Sequence, residues 1–188
     1  MPFFREDEAR NIIRDAYGQV HSQARAVAET FYSSAELALL PREAVDLALG
    51  VGHPLRYAAV HAGEVVVDLG CGAGIDTLLA AHAVGPGGKV VGVDMTPEMV
   101  ERTRRNAAAA GFENIEVHQG LMEALPLPDG VADVAISNGT LNLSMRKSRV
   151  LAETMRVLKP GGRVVCVDLV LVEALPEEVQ KSPAALAG

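Results

Sequence analysis

Apolar side chains change their spacing along the chain, and this change predicts two kinds of structure. From residue 6 to about residue 60 they recur at helical intervals, whereas after Gly63 they form short continuous runs. Such runs are typical of strands buried on both faces of a sheet. We therefore predict one compact domain in which a helical segment, residues 1–62, covers a sheet-containing core, residues 63–188. The helical interval is illustrated by Ile12, Ile13, Ala16 and Val20.

Five apolar runs alternate with helical patterns beyond Gly63. Alternation with short turns predicts right-handed crossovers and a mostly parallel sheet that helices cover on both faces. We predict a doubly wound, Rossmann-like α/β fold whose sheet stops after the fifth strand, which leaves a long apolar edge open to a second chain. The predicted strands are residues 65–69, 89–93, 115–117, 131–137 and 163–172. The predicted helices of the core are residues 74–84, 96–111 and 147–158, the last of them stopped by Pro160-Gly161-Gly162.

Composition narrows the classes of partner. The net charge is −7, Trp is absent and other aromatic residues are few, which argues against a nucleic-acid surface that tracks phosphates or stacks bases. No apolar run approaches the roughly 20 residues of a membrane span. The two cysteines lie far apart and the N-terminus turns acidic at once, so we expect a cytoplasmic chain without disulfides. The sequence shows no spacing typical of a metal site, and we predict none.

A glycine-rich loop, Asp68-Leu69-Gly70-Cys71-Gly72-Ala73-Gly74, follows the first predicted strand and opens the next helix. Glycines let the backbone pass close to a ligand, and the helix terminus behind them presents free N–H groups. Asp94 ends the second strand, where a carboxylate can accept hydrogen bonds from both ribose hydroxyls of a nucleoside. Together the loop and Asp94 predict a nucleoside-containing cofactor at the carboxyl ends of the strands.

The spacing of the glycines distinguishes between cofactors. The dinucleotide fingerprint Gly-x-Gly-x-x-Gly requires a third glycine where this chain has Ile75. The observed acid-x-Gly-x-Gly-x-Gly resembles the first motif of class I methyltransferases, which use S-adenosylmethionine. The resemblance implies that the segment after the third strand edges the adenine and that the fourth strand ends near the methionyl group. The cofactor-binding residues expected from the loop and this resemblance are Asp68, Gly70, Cys71, Gly72, Gly74, Asp94, Met95, Leu121, Met122 and Asn138.

Several of these residues also have a plain structural interpretation. The glycines could form only a tight turn, and Asn138 could be only a turn residue. Asp94 could cap a helix, although Thr96 stands in a good position to cap the helix that begins at Pro97. Cys71 is either a small filler beside the cofactor or a thiol whose pKa the helix terminus lowers.

Four phrases of the sequence, residues 32–38, 94–99, 136–144 and 157–163, together resemble the arsenite methyltransferases. That family holds trivalent arsenic on cysteine thiolates, soft ligands that suit a soft centre. This chain lacks those cysteines. The family's Gly-Cys-Gly-Asn-Pro reads Gly50-Val51-Gly52-His53-Pro54 here, and its Ser-Asn-Cys reads Ser137-Asn138-Gly139. The resemblance therefore implies the fold and the cofactor, and it leaves the acceptor open.

Three functions follow from the sequence. The leading hypothesis is an S-adenosylmethionine-dependent methyltransferase that acts on a small molecule, in which the protein mainly aligns the acceptor for in-line displacement. The alternatives are a cofactor-binding or oligomer-forming protein without turnover and a nicotinamide oxidoreductase, which Ile75 disfavours. No catalytic residue is assigned, and Tyr17 and His53 are candidates for the acceptor side. We expect a homodimer through the edge of the fifth strand and no nucleic-acid or membrane partner.

Overall fold

The central element is a five-stranded sheet in which all neighbouring strands are parallel. A computed structural model describes residues 3–20 and 25–186 of the chain. The strand order is β3-β2-β1-β4-β5, so the chain winds outward from β1 in both directions. The prediction of a doubly wound, Rossmann-like sheet is thereby confirmed. The strands are β1 (Val65–Leu69), β2 (Lys89–Asp94), β3 (Ile115–Gln119), β4 (Ala132–Asn138) and β5 (Leu158–Val167).

Ten α-helices surround the sheet in the described part of the chain. Five precede it, of which only the first is long: α1 (Glu6–Gly18), α2 (Arg25–Phe31), α3 (Ser34–Leu37), α4 (Arg42–Asp46) and α5 (Leu55–Ala58). The core contributes α6 (Ile75–Val84), α7 (Pro97–Ala109) and α8 (Lys147–Val157), and the chain continues through α9 (Glu177–Gln180) and α10 (Pro183–Leu186). A 3-10 turn at Leu141–Leu143 follows β4.

Helix α6 joins the N-terminal helices to the sheet, because it is buried on both sides. One side packs on β1 and β2 in a cluster that includes Val66 and Val90. The other side packs under the N-terminal helices, where Ile75 and Leu79 meet Tyr32. A helix that is apolar all round is expected to lie between two layers. The strand order reverses between β1 and β4, and α6 lies beside this switch point. Ligands bind at the carboxyl ends of the strands at such a point in folds of this kind.

The predicted bounds of the fifth strand, residues 163–172, are wrong at both ends. The strand already begins at Leu158, which pairs with Ala132; residues 159–162 interrupt the register, and pairing resumes between Arg163 and Val134. The strand stops at Val167 because its partner β4 ends at Asn138. The last apolar residues of the predicted strand therefore lie outside the sheet, and Leu169, Val170, Leu171 and Val172 are 65–94% exposed.

Two further searches cover only residues 3–20 and 25–186. Within them, no helix combines the length and apolar character needed to cross a membrane. The same residues contain no group of three or more His, Cys, Asp or Glu side chains arranged to hold a metal ion.

Candidate cofactor cleft

A cleft opens at the carboxyl ends of β1, β2 and β4, and α1 and residues 47–50 form its opposite side. Its empty volume is about 1000 Å³, part of it open to solvent. Nine of the ten predicted cofactor residues line it: Asp68, Gly70, Cys71, Gly72, Asp94, Met95, Leu121, Met122 and Asn138. Gly74 stands outside the lining, at the start of α6 with φ 97°, where an added Cβ would lie 2.9 Å from Thr103. The absence of a side chain at Gly74 therefore allows α6 to pack closely against α7.

Backbone hydrogen bonds bind the glycine loop to the end of β2. The N–H groups of Gly70 and Cys71 both donate to the carbonyl of Val93, at 2.8 and 3.1 Å. The N–H of Gly72 donates to Asp94 Oδ2 at 2.9 Å. Gly70 and Gly72 have φ of 75° and 55°, which favours glycine at both positions. The loop and the acid of the second strand thus form one unit.

Asp94 organises the loop and still has capacity for a ligand. Its Oδ1 accepts the backbone N–H of Thr96 at 2.9 Å, and its Oδ2 accepts that of Gly72. The prediction that Thr96 caps α7 through its side chain is wrong, because that side chain makes no capping bond. Burial raises the pKa of Asp94, against the opposing effect of these backbone hydrogen bonds. An ionised carboxylate can accept about four hydrogen bonds. Asp94 can therefore accept further hydrogen bonds from the hydroxyl groups of a ligand.

Two further carboxyl groups lie buried below the loop. Asp68 Oδ2 accepts the hydroxyl of Thr77 at 2.6 Å. Asp76, in the first turn of α6, accepts the Tyr32 hydroxyl at 2.9 Å and the Asn138 amide at 2.8 Å. Burial raises the pKa of both groups, and the charge of Asp76 raises that of Asp68 further. The sequence did not reveal Asp76 as a cleft residue, since an acid in a first turn ordinarily only complements the helix dipole.

The charge of these carboxyl groups distinguishes between S-adenosylmethionine and a nicotinamide dinucleotide as the cofactor. S-Adenosylmethionine carries a sulfonium and an ammonium group, and cations suit a cleft lined by Asp68, Asp76 and Asp94. A nicotinamide dinucleotide carries a pyrophosphate, which needs free backbone N–H groups. Here the N–H of Gly72 is directed onto Asp94. The residues present therefore fit the sulfonium cofactor and disfavour the dinucleotide.

The structure favours one of the two interpretations of Cys71. Its sulfur is buried beside the Thr103 hydroxyl, at 3.8 Å. It also packs against the second strand, where a Cβ added to Gly92 would lie 3.0 Å from the sulfur. Burial raises the pKa of the Cys71 thiol well above its usual value, with Asp94 and Asp68 adding to the effect. Cys71 is thus a filler that sets the spacing between loop and strand.

Beyond β3 the chain returns to the cleft through residues 120–123. The N–H of Gly120 donates to the carbonyl of Asp94 at 2.9 Å, which places Leu121 and Met122 beside the glycine loop. Sequence reasoning missed Glu123, a cleft residue whose Oε1 accepts the Ser144 hydroxyl at 2.6 Å. Glu123 directly follows Met122, one of the residues expected to edge the adenine. That position in the sequence could have identified it as a cleft residue.

The two candidates for the acceptor side differ in position. Tyr17 lines the cleft, and burial, followed by the charges of Asp94 and Asp168, raises the pKa of its phenol. It therefore faces the cleft as a protonated hydrogen-bond donor. His53 is not among the residues that line the cleft. Its Nε2 lies 2.7 Å from Glu36 Oε1, inside the N-terminal helical segment. The position of His53 therefore gives no support to a role on the acceptor side.

The two positions at which arsenite methyltransferases carry cysteine meet in space. A Cβ added to Gly139, which has φ 72°, would lie 3.4 Å from Val51 Cγ1. Gly139 itself lines the cleft. The fold therefore brings the two family positions together, but with a valine methyl group and a glycine in place of thiols.

Residues 60–188 match the family described as a methyltransferase domain, which is well over half of the chain. The chain belongs to this methyltransferase family. Its membership confirms the predicted class I fold and S-adenosylmethionine as the family's cofactor.

Two curated proteins and one crystal structure illustrate what this chain resembles. It is 48% identical over 146 residues to an arsenite methyltransferase of Halobacterium salinarum, which covers 78% of this chain and 37% of that protein. It is 39% identical over 107 residues to a demethylmenaquinone methyltransferase of Symbiobacterium thermophilum, over 56% of this chain and 43% of that one. The crystal structure is an arsenic (III) S-adenosylmethionine methyltransferase from Chlamydomonas reinhardtii, with a TM-score of 0.71 and 35% identity over 88% of this chain and 55% of that one.

The chain spans only 36–48% of the length of the curated relatives it matches.

Proposed function

We propose that this chain transfers the methyl group of S-adenosylmethionine to a small molecule with a largely apolar body, and that thiolates do not hold this acceptor. The observation that carries the proposal is the close approach of Val51 and Gly139, the two positions at which the arsenite methyltransferase pattern has cysteines; Gly139 lines the cleft. The side of the cleft opposite the glycine loop is apolar as well. Its apolar residues include Ile13, Leu47 and Leu49.

The residues of the cleft divide into roles under this proposal. Asp94 receives the ribose hydroxyls, Leu121 and Met122 contact the adenine, and Asp68 supplies negative charge to the cationic end of the cofactor. When bound, the cofactor supplies an activated methyl group on its sulfonium. The protein needs no general base for an acceptor that is already deprotonated, because its main task is alignment. Tyr17 donates a hydrogen bond toward the acceptor.

A second candidate is a protein that binds S-adenosylmethionine without turnover. It is favoured by Val51 and Gly139, which stand where the arsenite methyltransferase pattern has cysteines and supply no ligand for an acceptor. A nicotinamide oxidoreductase is disfavoured by the acidic cleft and by the Gly72 N–H directed onto Asp94.

The first experiment is a calorimetric titration with S-adenosylhomocysteine and, separately, with NADH. We expect saturable binding of S-adenosylhomocysteine near the micromolar range, about −8 kcal/mol, and none of NADH. Binding of NADH instead would overturn the assignment. Transfer of labelled methyl from S-adenosylmethionine is then measured to a hydroquinone and to arsenite without added thiol. Transfer to arsenite contradicts an acceptor free of thiolates, and binding without any transfer supports the second candidate.

We also propose that the edge of β5 pairs with a second copy of the chain in the cytoplasm. β5 is the last strand of the sheet, and the exposed apolar residues Leu169–Val172 directly continue it. Open strand edges and exposed apolar segments favour association. Cys71 and Cys166 are both free thiols, in keeping with a reducing compartment. Sedimentation is expected to show a dimer that Val170→Asp dissociates, whereas a wild-type monomer at all concentrations argues against the pairing.

A further inference from the structure

The carboxamide of Asn138, the last residue of β4, holds a turn that comes almost ninety positions earlier in the sequence. Its Oδ1 accepts the N–H groups of Val51 and Gly52 at 2.8 and 3.2 Å, and its Nδ2 donates to the carbonyl of Gly52 at 2.9 Å. We call residues 50–52 the covering turn. All three bonds are made to backbone groups, so they fix the position of the turn whatever side chains it carries.

The covering turn approaches the sheet so closely that glycine is required at two of its three positions. A Cβ at Gly50 would overlap the carboxamide of Asn138, and a Cβ at Gly52 would lie 2.5 Å from Val167 Cγ1. The residues directly before and at the start of the turn, residues 47–50, line the cleft. A displacement of the turn therefore moves one side of the cleft.

The same carboxamide also reaches the glycine-loop side. Its Nδ2 lies 2.8 Å from Asp76 Oδ2 and 3.2 Å from the hydroxyl oxygen of Tyr32, which itself donates to Asp76 Oδ1. Tyr32 belongs to the N-terminal segment, and Asp76 to the first turn of α6. Burial, then the charge of Asp76, raises the pKa of the Tyr32 phenol, so it stays a donor. Asn138 thus hydrogen-bonds to the covering turn, to Tyr32 of the N-terminal segment and to Asp76 of α6.

We infer that Asn138 is a positioning residue: it sets the distance between the two sides of the cleft by holding the covering turn, and it does not bind the cofactor through its side chain. Every donor and acceptor of the carboxamide is already engaged by protein groups. The inference deepens the proposed function and rests on it only for the identity of the ligand. Its structural part is testable in the free protein.

The test combines amide hydrogen exchange of residues 48–53 in the free protein with S-adenosylhomocysteine titration. In Asn138→Ala, the amides of Val51 and Gly52 are expected to exchange about tenfold faster, since each loses a buried acceptor. S-Adenosylhomocysteine is then expected to bind about threefold more weakly, because it must order one side of the cleft. Tyr32→Phe removes a hydroxyl that does not line the cleft and is expected to produce both effects in the same direction and to a smaller extent.

Asn114→Ala is the matched control. Asn114 Nδ2 also bridges two backbone carbonyls, of Gly85 and Gly88, but at the opposite end of the sheet. It is expected to leave exchange at residues 48–53 and the titration unchanged. Equal acceleration in the control, or weaker binding in Asn138→Ala with unchanged exchange, overturns the inference. If Asn138→Ala does not fold, unchanged exchange in Tyr32→Phe overturns it, and a wild type that binds no S-adenosylhomocysteine refutes only the proposed function.

Discussion

The glycine loop and the covering turn face each other across the same cleft, yet they are held in different ways. The loop is fixed by backbone N–H groups that reach Val93 and Asp94 within about 25 positions of sequence. The turn is fixed by one side chain, Asn138, almost ninety positions away. The loop side also rests on a buried sheet, whereas the turn rests on the ends of β4 and β5.

This difference teaches which side of the cleft is robust. Backbone bonds in the loop survive most side-chain changes, so the loop depends on its glycines and on Asp94. The turn depends on a small polar network, in which loss of one partner leaves buried groups unsatisfied. We therefore expect substitutions at only a few residues to disrupt the glycine-loop side of the cleft. Substitutions at many residues should displace the covering turn.

The largest effect is expected from Asp94→Ala, which breaks the loop side of the comparison. It removes the acceptor of the Gly72 and Thr96 N–H groups and the proposed ribose contact. Because hydrogen bonds to a charged group contribute more than neutral ones, S-adenosylhomocysteine affinity should fall about 100-fold or more in calorimetry. Asp133→Ala is the control, since Asp133 also accepts a backbone N–H, that of Val65, but at the other end of the sheet. Comparable loss of affinity in both variants would contradict the role of Asp94.

Gly50→Ala tests the covering side. The added Cβ overlaps the Asn138 carboxamide, and forcing extra volume into a packed contact typically costs about 1–3 kcal/mol. We expect urea denaturation to show a loss of about 2 kcal/mol in the free energy of unfolding. Gly87→Ala is the matched control, because a Cβ there meets nothing within 4 Å. A Gly50→Ala chain as stable as Gly87→Ala would mean that the turn is free to move away.

Cofactor binding on the glycine-loop side is expected to depend on pH, because buried carboxyl groups lie there. Burial, then the charge of Asp76, raises the pKa of Asp68 to about 8, with Asp94 adding to the effect and Thr77 opposing it. A cationic ligand prefers the carboxylate form, so binding must release a proton below that pH. S-Adenosylhomocysteine, which keeps the ammonium group, is expected to bind about tenfold more weakly at pH 6 than at pH 8. Calorimetry in buffers of different ionisation enthalpy measures the proton directly. Most of the effect should disappear in Asp68→Asn, and the remainder comes from Asp76, whose pKa burial raises to about 6.

Stability of the ligand-free chain should change with pH in the opposite direction. Since the folded Asp68 holds its proton to a higher pH than an unfolded aspartate, its stabilising contribution is fully present below about pH 4. That contribution is lost as pH rises through the folded pKa of about 8. Urea midpoints of the wild type and Asp68→Asn, compared from pH 5 to pH 8, should converge at the acidic end.

The smallest effect is expected from Cys71→Ala. If the buried thiol only fills space between the loop and β2, S-adenosylhomocysteine affinity should stay within about twofold, with a stability loss of about 1 kcal/mol. Maleimide at pH 7 should label Cys166, which is exposed, and leave Cys71 unlabelled until the chain unfolds. Rapid labelling of Cys71 in the folded protein would instead favour a thiol of lowered pKa.

The accuracy of the sequence prediction follows the same division of the molecule. The loop side was predictable because a strand, a glycine loop and a helix leave a local pattern, and nine of ten predicted residues line the cleft. Asp76 and Tyr32 escaped notice because their contact spans 44 positions. The residue type of Thr96 predicted a side-chain cap for α7, whereas the structure uses its backbone N–H, which donates to Asp94. The end of β5 depended on where β4 stops, which no pattern within residues 163–172 records.

The sequence itself determined the order of elements, the parallel sheet and the cofactor loop. These features follow from the spacing of apolar residues and the positions of glycines, which act on the local backbone conformation. Tertiary structure alone decided what Asn138 does, that Val51 and Gly139 are neighbours, and that Asp68 and Asp76 are buried together. The reason is that these properties arise from distances between residues far apart in sequence. Such distances, and the burial that shifts a pKa, exist only once the sheet, α6 and the N-terminal helices have packed.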